Sequence, residues 1–453
     1  MDKHTNFNSS SAENKNTDNT HRSRHSSGRH RSSRKKRSSG GLFGKYFRYM
    51  VLAWLALLTA VMMIISIMLY EANSTLRLQI EQLKRLVVSG DMQVSAEDDI
   101  PSYVRDEAQR VIDEVAALQN ENTFSFIAIS DIHLNSEDVE SVLALKHAGQ
   151  ALALIREQLD VGLAANLGDI TWGSSTTTIE MGILEIQKAN EIIGAGFDGI
   201  PNLRTVGNHD ILAQSFLQNQ DFLNSAELYE LIGKYNEGAE FQSGEEDRGY
   251  CYRDLKDSKL RVICLNTNDI KGLDDPLSVN YCTVSPTQLQ WLADTLDMSE
   301  KADSEEWTVI LLSHQPLYWE GYERVVELLD AYTLGTKGVI EYQDAEINYD
   351  YIGKNSATIA ANIHGHLHNF RVDSIGQARI PTIAIPNACY GRNNEYGTAY
   401  GEEIRDKYGD IDTYEKTYNT AEDTAFCIVT VDMKNQVIYV TCYGAGYNRT
   451  IRY

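Results

Sequence analysis

Residues 124–133 read Phe-Ser-Phe-Ile-Ala-Ile-Ser-Asp-Ile-His. The first seven are apolar or small and predict a buried strand, and the last three place Asp131 and His133 in the polar stretch just beyond it. Working outward, Val142, Leu145, Leu152, Ile155 and Leu159 mark one face of a helix. Leu163 to Leu167, Asn202 to Val206, Trp307 to Leu312 and Ala357 to Ile363 are further strand candidates. Ile179, Ile183 and Ile186, then Leu289, Leu292 and Leu296, predict the helices between them. This alternation argues for an α/β fold with layers around a largely parallel or mixed sheet. Two hairpin-like stretches, Tyr250 to Leu265 and Ala425 to Tyr443, add antiparallel strands. Between Asp210 and Tyr250, and between Pro386 and Asp423, the pattern weakens and surface insertions are expected.

The chain has 11 histidines; four lie in the N-terminal tail, and five of the other seven sit in short polar clusters after predicted strands. The clusters are Asp131-Ile132-His133, Gly168-Asp169, Gly207-Asn208-His209-Asp210, Ser313-His314 and Gly365-His366-Leu367-His368. In α/β sheets, ligands gather beyond the carboxyl ends of strands, so five such loops can converge on one point. Taken singly, each cluster is a turn or a helix cap, and Asn208 with Asp210 could cap a following helix. Taken together, they offer a mixed imidazole and carboxylate set of the kind that holds two divalent ions, Mn, Fe or Zn. Two ions roughly 3.5–4 Å apart acidify a bound water and clamp a phosphoryl group, which is what hydrolysis of a phosphate ester needs, and a nearby His can supply the proton for the leaving oxygen. His147, inside a helical pattern, reads as structural; His364 reads as a strand-end residue or a donor behind the site.

The ordered set D-x-H, G-D, G-N-H-D, H and G-H-x-H, spread from Asp131 to His368, resembles the calcineurin-like metallophosphoesterase family. The resemblance implies a layered β-sandwich flanked by helices. It implies that Asp131, His133 and His368 bind one metal, that Asn208, His314 and His366 bind the other, and that Asp169 bridges them. It makes His209 the general acid, with Asp210 orienting it. In the purple acid phosphatase branch the third residue after the bridging Asp is a Tyr that ligates iron; here it is Trp172, which argues against a Tyr-ligated ferric centre. Gln288 to Leu292 and Ser313 to Pro316 add to the likeness.

Charge divides the rest of the chain. Residues 1–48 carry 12 Lys or Arg against 3 Asp or Glu and almost no aliphatic residues, which predicts a disordered tail. Residues 49–70 hold no charge, and their 22 residues suit one membrane span. The basic flank before the span puts the N-terminus in the cytoplasm and the rest outside. A polybasic segment beside a span sets topology and meets anionic lipid rather than nucleic acid. Residues 71–122 predict two short amphipathic helices, at Leu76 to Val87 and Val104 to Leu118, as a stalk and a helix packed on the domain; a homodimer through the stalk is a possible arrangement. Residues 123–453 form the domain. From residue 71 onward the net charge is −32, which disfavours long polyanionic substrates more than small phosphate esters. Cys251 with Cys264 and Cys427 with Cys442 flank polar turns symmetrically, and each pair is either a cross-strand disulfide or two buried thiols. A non-catalytic surface binding module that keeps the fold is the alternative to an enzyme.

Overall fold

The computed structural model describes residues 46–70, 99–173, 177–212, 223–236, 238, 241–242, 249–269, 283–301, 303–389 and 416–453. The chain divides into two units, Met1–Arg77 and Leu78–Tyr453. In the first, helix α1 (Tyr46–Tyr70) is long and apolar enough to cross a membrane, and its apolar side chains are exposed all round. The predicted helix from Leu76 to Val87 and most of the expected insertion between Pro386 and Asp423, residues 390–415, lie outside the described residues.

The second unit contains, in order, α2 (Ser102–Ala116), β1 (Thr123–Ile129), α3 (Val139–Gln158), β2 (Leu163–Asn166), α4 (Ile179–Phe197), β3 (Asn202–Arg204), α5 (Ser225–Leu231) and β4 (Phe241–Gln242). There follow β5 (Cys251–Leu255), β6 (Leu260–Cys264), α6 (Pro286–Leu296), β7 (Thr308–Ser313), α7 (Glu323–Leu334), β8 (Lys337–Tyr342) and β9 (Ala345–Asp350). The last six strands are β10 (Thr358–His364), β11 (Arg371–Ile375), β12 (Ile380–Ala384), β13 (Ala425–Asp432), β14 (Val437–Gly444) and β15 (Arg449–Arg452).

Two sheets are built from these strands. One has the order β15-β14-β13-β1-β2-β3 and the other β11-β12-β10-β7-β6-β5-β4; β8 and β9 pair as a separate hairpin. Strands β1, β2 and β3 run parallel, as do β6, β7, β10 and β12. Strand periodicity explains the layers. Phe126 and Ala128 of β1 meet Ile310, Leu312 and Ile363 of the other sheet in a shared core, whereas Ile127 and Ile129 point the other way, onto α2, α3 and α4. The second sheet repeats this arrangement, with Val309 and Leu311 facing α6 and α7. A strand covered on both faces has to be apolar on both, which is why residues 124–129 show no polar alternation. Truncating Ile127, fully buried in this outer layer, to Ala is expected to cost about 2–5 kcal/mol.

Helix α2 packs on the domain, as the pattern from Val104 to Leu118 predicts: Val104, Ala108, Val111 and Val115 are buried in the same core as Ile127, so packing extends N-terminal of residue 123. The stretch after Asp210 is not only a surface insertion. Capped by Asn224, α5 leads to a buried Ile232, and Asn236 exchanges hydrogen bonds with the backbone of Arg204, whose guanidinium lies 3.6 Å over the Tyr235 ring. The predicted cysteine pairs do face each other across β5–β6 and β13–β14, but all four are thiols; Cys427 and Cys442 sulfurs stand 3.2 Å apart.

Candidate metal centre

Five loops leave the carboxyl ends of parallel strands and meet. Asp131 and His133 follow β1, Asp169 follows β2, Asn208 to Asp210 follow β3, His314 follows β7, and His366 with His368 follow β10. Three loops come from one sheet and two from the other, so the site sits at the end of the shared core. Glycines permit this closeness. A Cβ on Gly207 would fall 2.1 Å from the Asp169 amide nitrogen, and one on Gly365 would fall 1.8 Å from Ser130 Oγ. Both glycines are required by space, not by φ.

The loops are also held in uncommon backbone conformations. Asp131, His133, Asp169, His366 and His368 all have positive φ, between 45° and 69°. For non-glycine residues this left-handed region costs on the order of 1–2 kcal/mol each and persists only where the surroundings enforce it. Here the Asp131 amide donates to Gly168 O and the His133 amide to Asp169 O, both at 2.9 Å, and the His366 amide donates to the Asp131 carboxylate.

Two groups of donor atoms result, Asp131, His133, Asp169 and His368 in one and Asp169, His314 and His366 in the other. In the first, His133 Nε2 is 2.8 Å from His368 Nε2 and 3.5 Å from Asp169 Oδ2, and His368 Nε2 is 3.4 Å from Asp131 Oδ1. In the second, His314 Nε2 is 3.1 Å from Asp169 Oδ2, 3.1 Å from Asn208 Oδ1 and 3.2 Å from His366 Nδ1. Asp169 belongs to both: Oδ2 faces His133 and His314, while Oδ1 accepts the His209 amide at 2.8 Å. All seven residues are buried or nearly so.

The donor set fits metal ions. His314 donates Nδ1–H to Leu167 O at 2.7 Å, which leaves the lone pair of the neutral ring at Nε2, aimed at oxygens and at another imidazole. Lone pairs facing lone pairs repel unless a cation or a proton lies between them. Separations of 2.8–3.5 Å are those of atoms sharing one small cation at about 2.0–2.2 Å each. Burial, joined by the neighbouring His209, holds the His133 imidazole far below its usual range. Burial and His314 likewise bring His366 down to about 3. Burial works to raise the Asp131 and Asp169 carboxyls, yet the facing histidines hold both low. Neutral imidazoles and ionised carboxylates are the forms that ligate metal. Burial would also lower His314, but the Asp169 carboxylate lifts it to about 9, so a proton takes the central place when no ion does.

The family model of the calcineurin-like phosphoesterases matches residues 124–370, more than half of the 453-residue chain. The chain belongs to this family. No curated protein matches it.

Within the calcineurin-like phosphoesterase site, His209 lies at the margin, half-buried, its ring 4.6 Å from that of His133. It donates Nδ1–H to the Trp172 carbonyl at 2.6 Å, so Nε2 is the nitrogen left for chemistry. This corrects the expectation for Asp210, whose carboxylate does not orient the His209 ring. It accepts the amides of Gly207 at 2.8 Å, Asp169 at 3.0 Å and Ile170 at 2.7 Å. The left-handed turn at Asp169 gathers these amides around it, so Asp210 ties the second loop to the third. Burial, then the charge of Asp169, raises its carboxyl to about 7.

Several supporting residues escaped the sequence reading. Buried Glu185 on α4 accepts the Ser136 amide and hydroxyl and the Thr171 hydroxyl, joining the loops after β1 and β2. Gln315 reaches Asn208 Oδ1 at 3.4 Å and Asn268 Oδ1 at 2.9 Å and pairs with Thr267. A signal was present for the latter group, because Asn266-Thr267-Asn268-Asp269 is a polar cluster after a strand, as the histidine clusters are. Glu185 offered none, being one acid on an amphipathic helix. His364 is buried and donates Nδ1–H to Gly365 O, a strand-end role behind the site, and His147 pairs with Asp423 at 2.6 Å, away from it.

Proposed function

We propose that this calcineurin-like phosphoesterase hydrolyses phosphate mono- or diesters at a two-metal centre, and that α1 anchors it in a membrane with the catalytic domain outside the cytoplasm. The observation that carries the reading is Asp169: one oxygen faces both donor groups and the other holds the backbone of His209. Asp131, His133 and His368 would hold one ion, Asn208, His314 and His366 the other, with Asp169 between them. When bound, the ions supply an acidified water and positive charge for the phosphoryl oxygens. That local charge offsets the opposing field of a domain whose net charge from residue 71 onward is −32.

His209 carries the proton. As the water oxygen bonds to phosphorus and the bond to the leaving oxygen breaks, protonated Nε2 gives its proton to that oxygen, releasing an alcohol. The Trp172 carbonyl on Nδ1 keeps the ring from turning and commits Nε2 to this task. The basic residues just before α1 support the topology through the positive-inside rule.

The test uses the full-length protein in detergent micelles with manganese. It should hydrolyse p-nitrophenyl phosphate or bis(p-nitrophenyl) phosphate. His209→Ala should lower turnover of an ester with an alkyl leaving group by about 10²–10⁴-fold and affect p-nitrophenyl esters far less, since p-nitrophenolate leaves without help. Absence of hydrolysis with manganese, iron or zinc, or equal loss on both leaving groups, would overturn the assignment. A binding module without turnover would show the first of these outcomes.

A further inference from the structure

Two indoles flank the metal centre, one beside each group of donors. The Trp172 ring lies 5.7 Å from that of His133 and 6.1 Å from that of His209, whereas the Trp319 ring lies 4.8 Å from that of His366 at 82°. Both side chains are only partly buried. Trp319 is not on a loose segment. Its amide donates to Pro316 O at 3.1 Å, its carbonyl accepts the Tyr322 amide at 3.3 Å, and the flanking Leu317 and Tyr322 are each 1 % exposed. The loop that begins with the ligand candidate His314 therefore ends by holding an indole in a fixed place. An edge-on contact with His366 uses one side of that indole and leaves apolar surface at the mouth of a polar site. A large aromatic side chain in such a position offers a flat, apolar contact to whatever enters.

We propose that Trp172 and Trp319 are specificity-determining walls, and that the preferred substrate is a phosphodiester whose retained arm carries a flat aromatic group against Trp319. The inference rests on the phosphoesterase reading above and sharpens it. The leaving alcohol must depart beside the proton donor, and His209 stands with Trp172. The attacking water takes the position opposite the leaving oxygen, so the arm that stays on phosphorus extends sideways, and we place it toward the other donor group, where Trp319 stands. A monoester has no such arm, so Trp319 touches only diesters.

The experiment compares wild type, Trp319→Ala and Trp319→Phe as full-length proteins with manganese. Trp319→Ala should raise KM for bis(p-nitrophenyl) phosphate about tenfold, the scale of a lost aromatic stacking contact, with little change in kcat. For p-nitrophenyl phosphate, which lacks the retained arm, KM should stay within about twofold, and Trp319→Phe should recover most of the diester affinity. Binding of diphenyl phosphate, measured by calorimetry and needing no turnover, should weaken in Trp319→Ala while binding of inorganic phosphate does not. Equal effects on both substrates, or unchanged diphenyl phosphate binding, would refute the role of Trp319. Lack of hydrolysis in the wild type would instead strike the proposed function, and the calorimetry would still decide the aromatic wall.

Discussion

The two halves of the metal centre use similar side chains but are held by different means. Around His133 and His368 the backbone does the holding: Asp131, His133, Asp169 and His368 all lie in the left-handed region. Around His314 the holding is by hydrogen bonds. His366 of this half and the shared Asp169 also have positive φ, but Asn208 and His314 do not; His314 is anchored on Leu167 O, and Asn208 is met by Gln315, itself joined to Thr267 and Asn268. The first half concentrates strain in short loops that cross-brace one another. The second spreads its order over a buried polar network. Strain persists only while its braces hold, whereas the bonds of a buried network reinforce one another.

The comparison can be broken at its shared member first. Asp169→Asn removes the one carboxylate that both halves use, so metal content should fall in both and activity by more than about a hundredfold; retention of two ions by elemental analysis would show that Asp169 is not the bridge. Next come His368→Ala and His366→Ala. Each should lower metal content by about one ion per chain, since each removes a donor from one half only. Loss of both ions in either variant would mean that the halves are not separable.

Smaller changes sharpen the contrast. Gln315→Ala should weaken one ion about tenfold and leave the other unchanged, the effect expected of a group behind a ligand, readable by competitive chelation. Thr171→Val removes one hydroxyl from Glu185 and should cost about 1 kcal/mol of stability, seen as a slightly lower denaturant midpoint with both metal affinities unchanged. A metal affinity that falls in Thr171→Val would show that the braced half also depends on single bonds.

The convergence of Asp131, His133, Asp169, Asn208, His209, His314, His366 and His368 was legible because metal-ligating residue types followed strand patterns five times in one order. The strands were legible where both faces are apolar, as in residues 124–129. What failed to show was of two kinds. Residues such as Glu185, Thr267 and Gln315 are ordinary polar side chains whose work depends on a partner far along the chain. The stretch from Asp210 to Tyr250 was read as surface because its pattern is weak, yet Ile232 and Asn236 pack there against structure that the local sequence cannot announce.

The linear order of residues was enough to determine an α/β layered domain, a candidate membrane span at the N-terminus and a set of carboxylates and imidazoles suited to metal, because strand and helix periods and residue chemistry are local properties. Only the tertiary structure decided that Asp210 serves backbone amides instead of His209, that a carbonyl of Trp172 orients the proton donor, and that an indole stands beside each half of the centre. Those outcomes follow from left-handed turns and from loops of two sheets meeting at one end of a shared core. Apart from the bond from Gly207 to Asp210, they are contacts between residues dozens of positions apart, which no local pattern encodes.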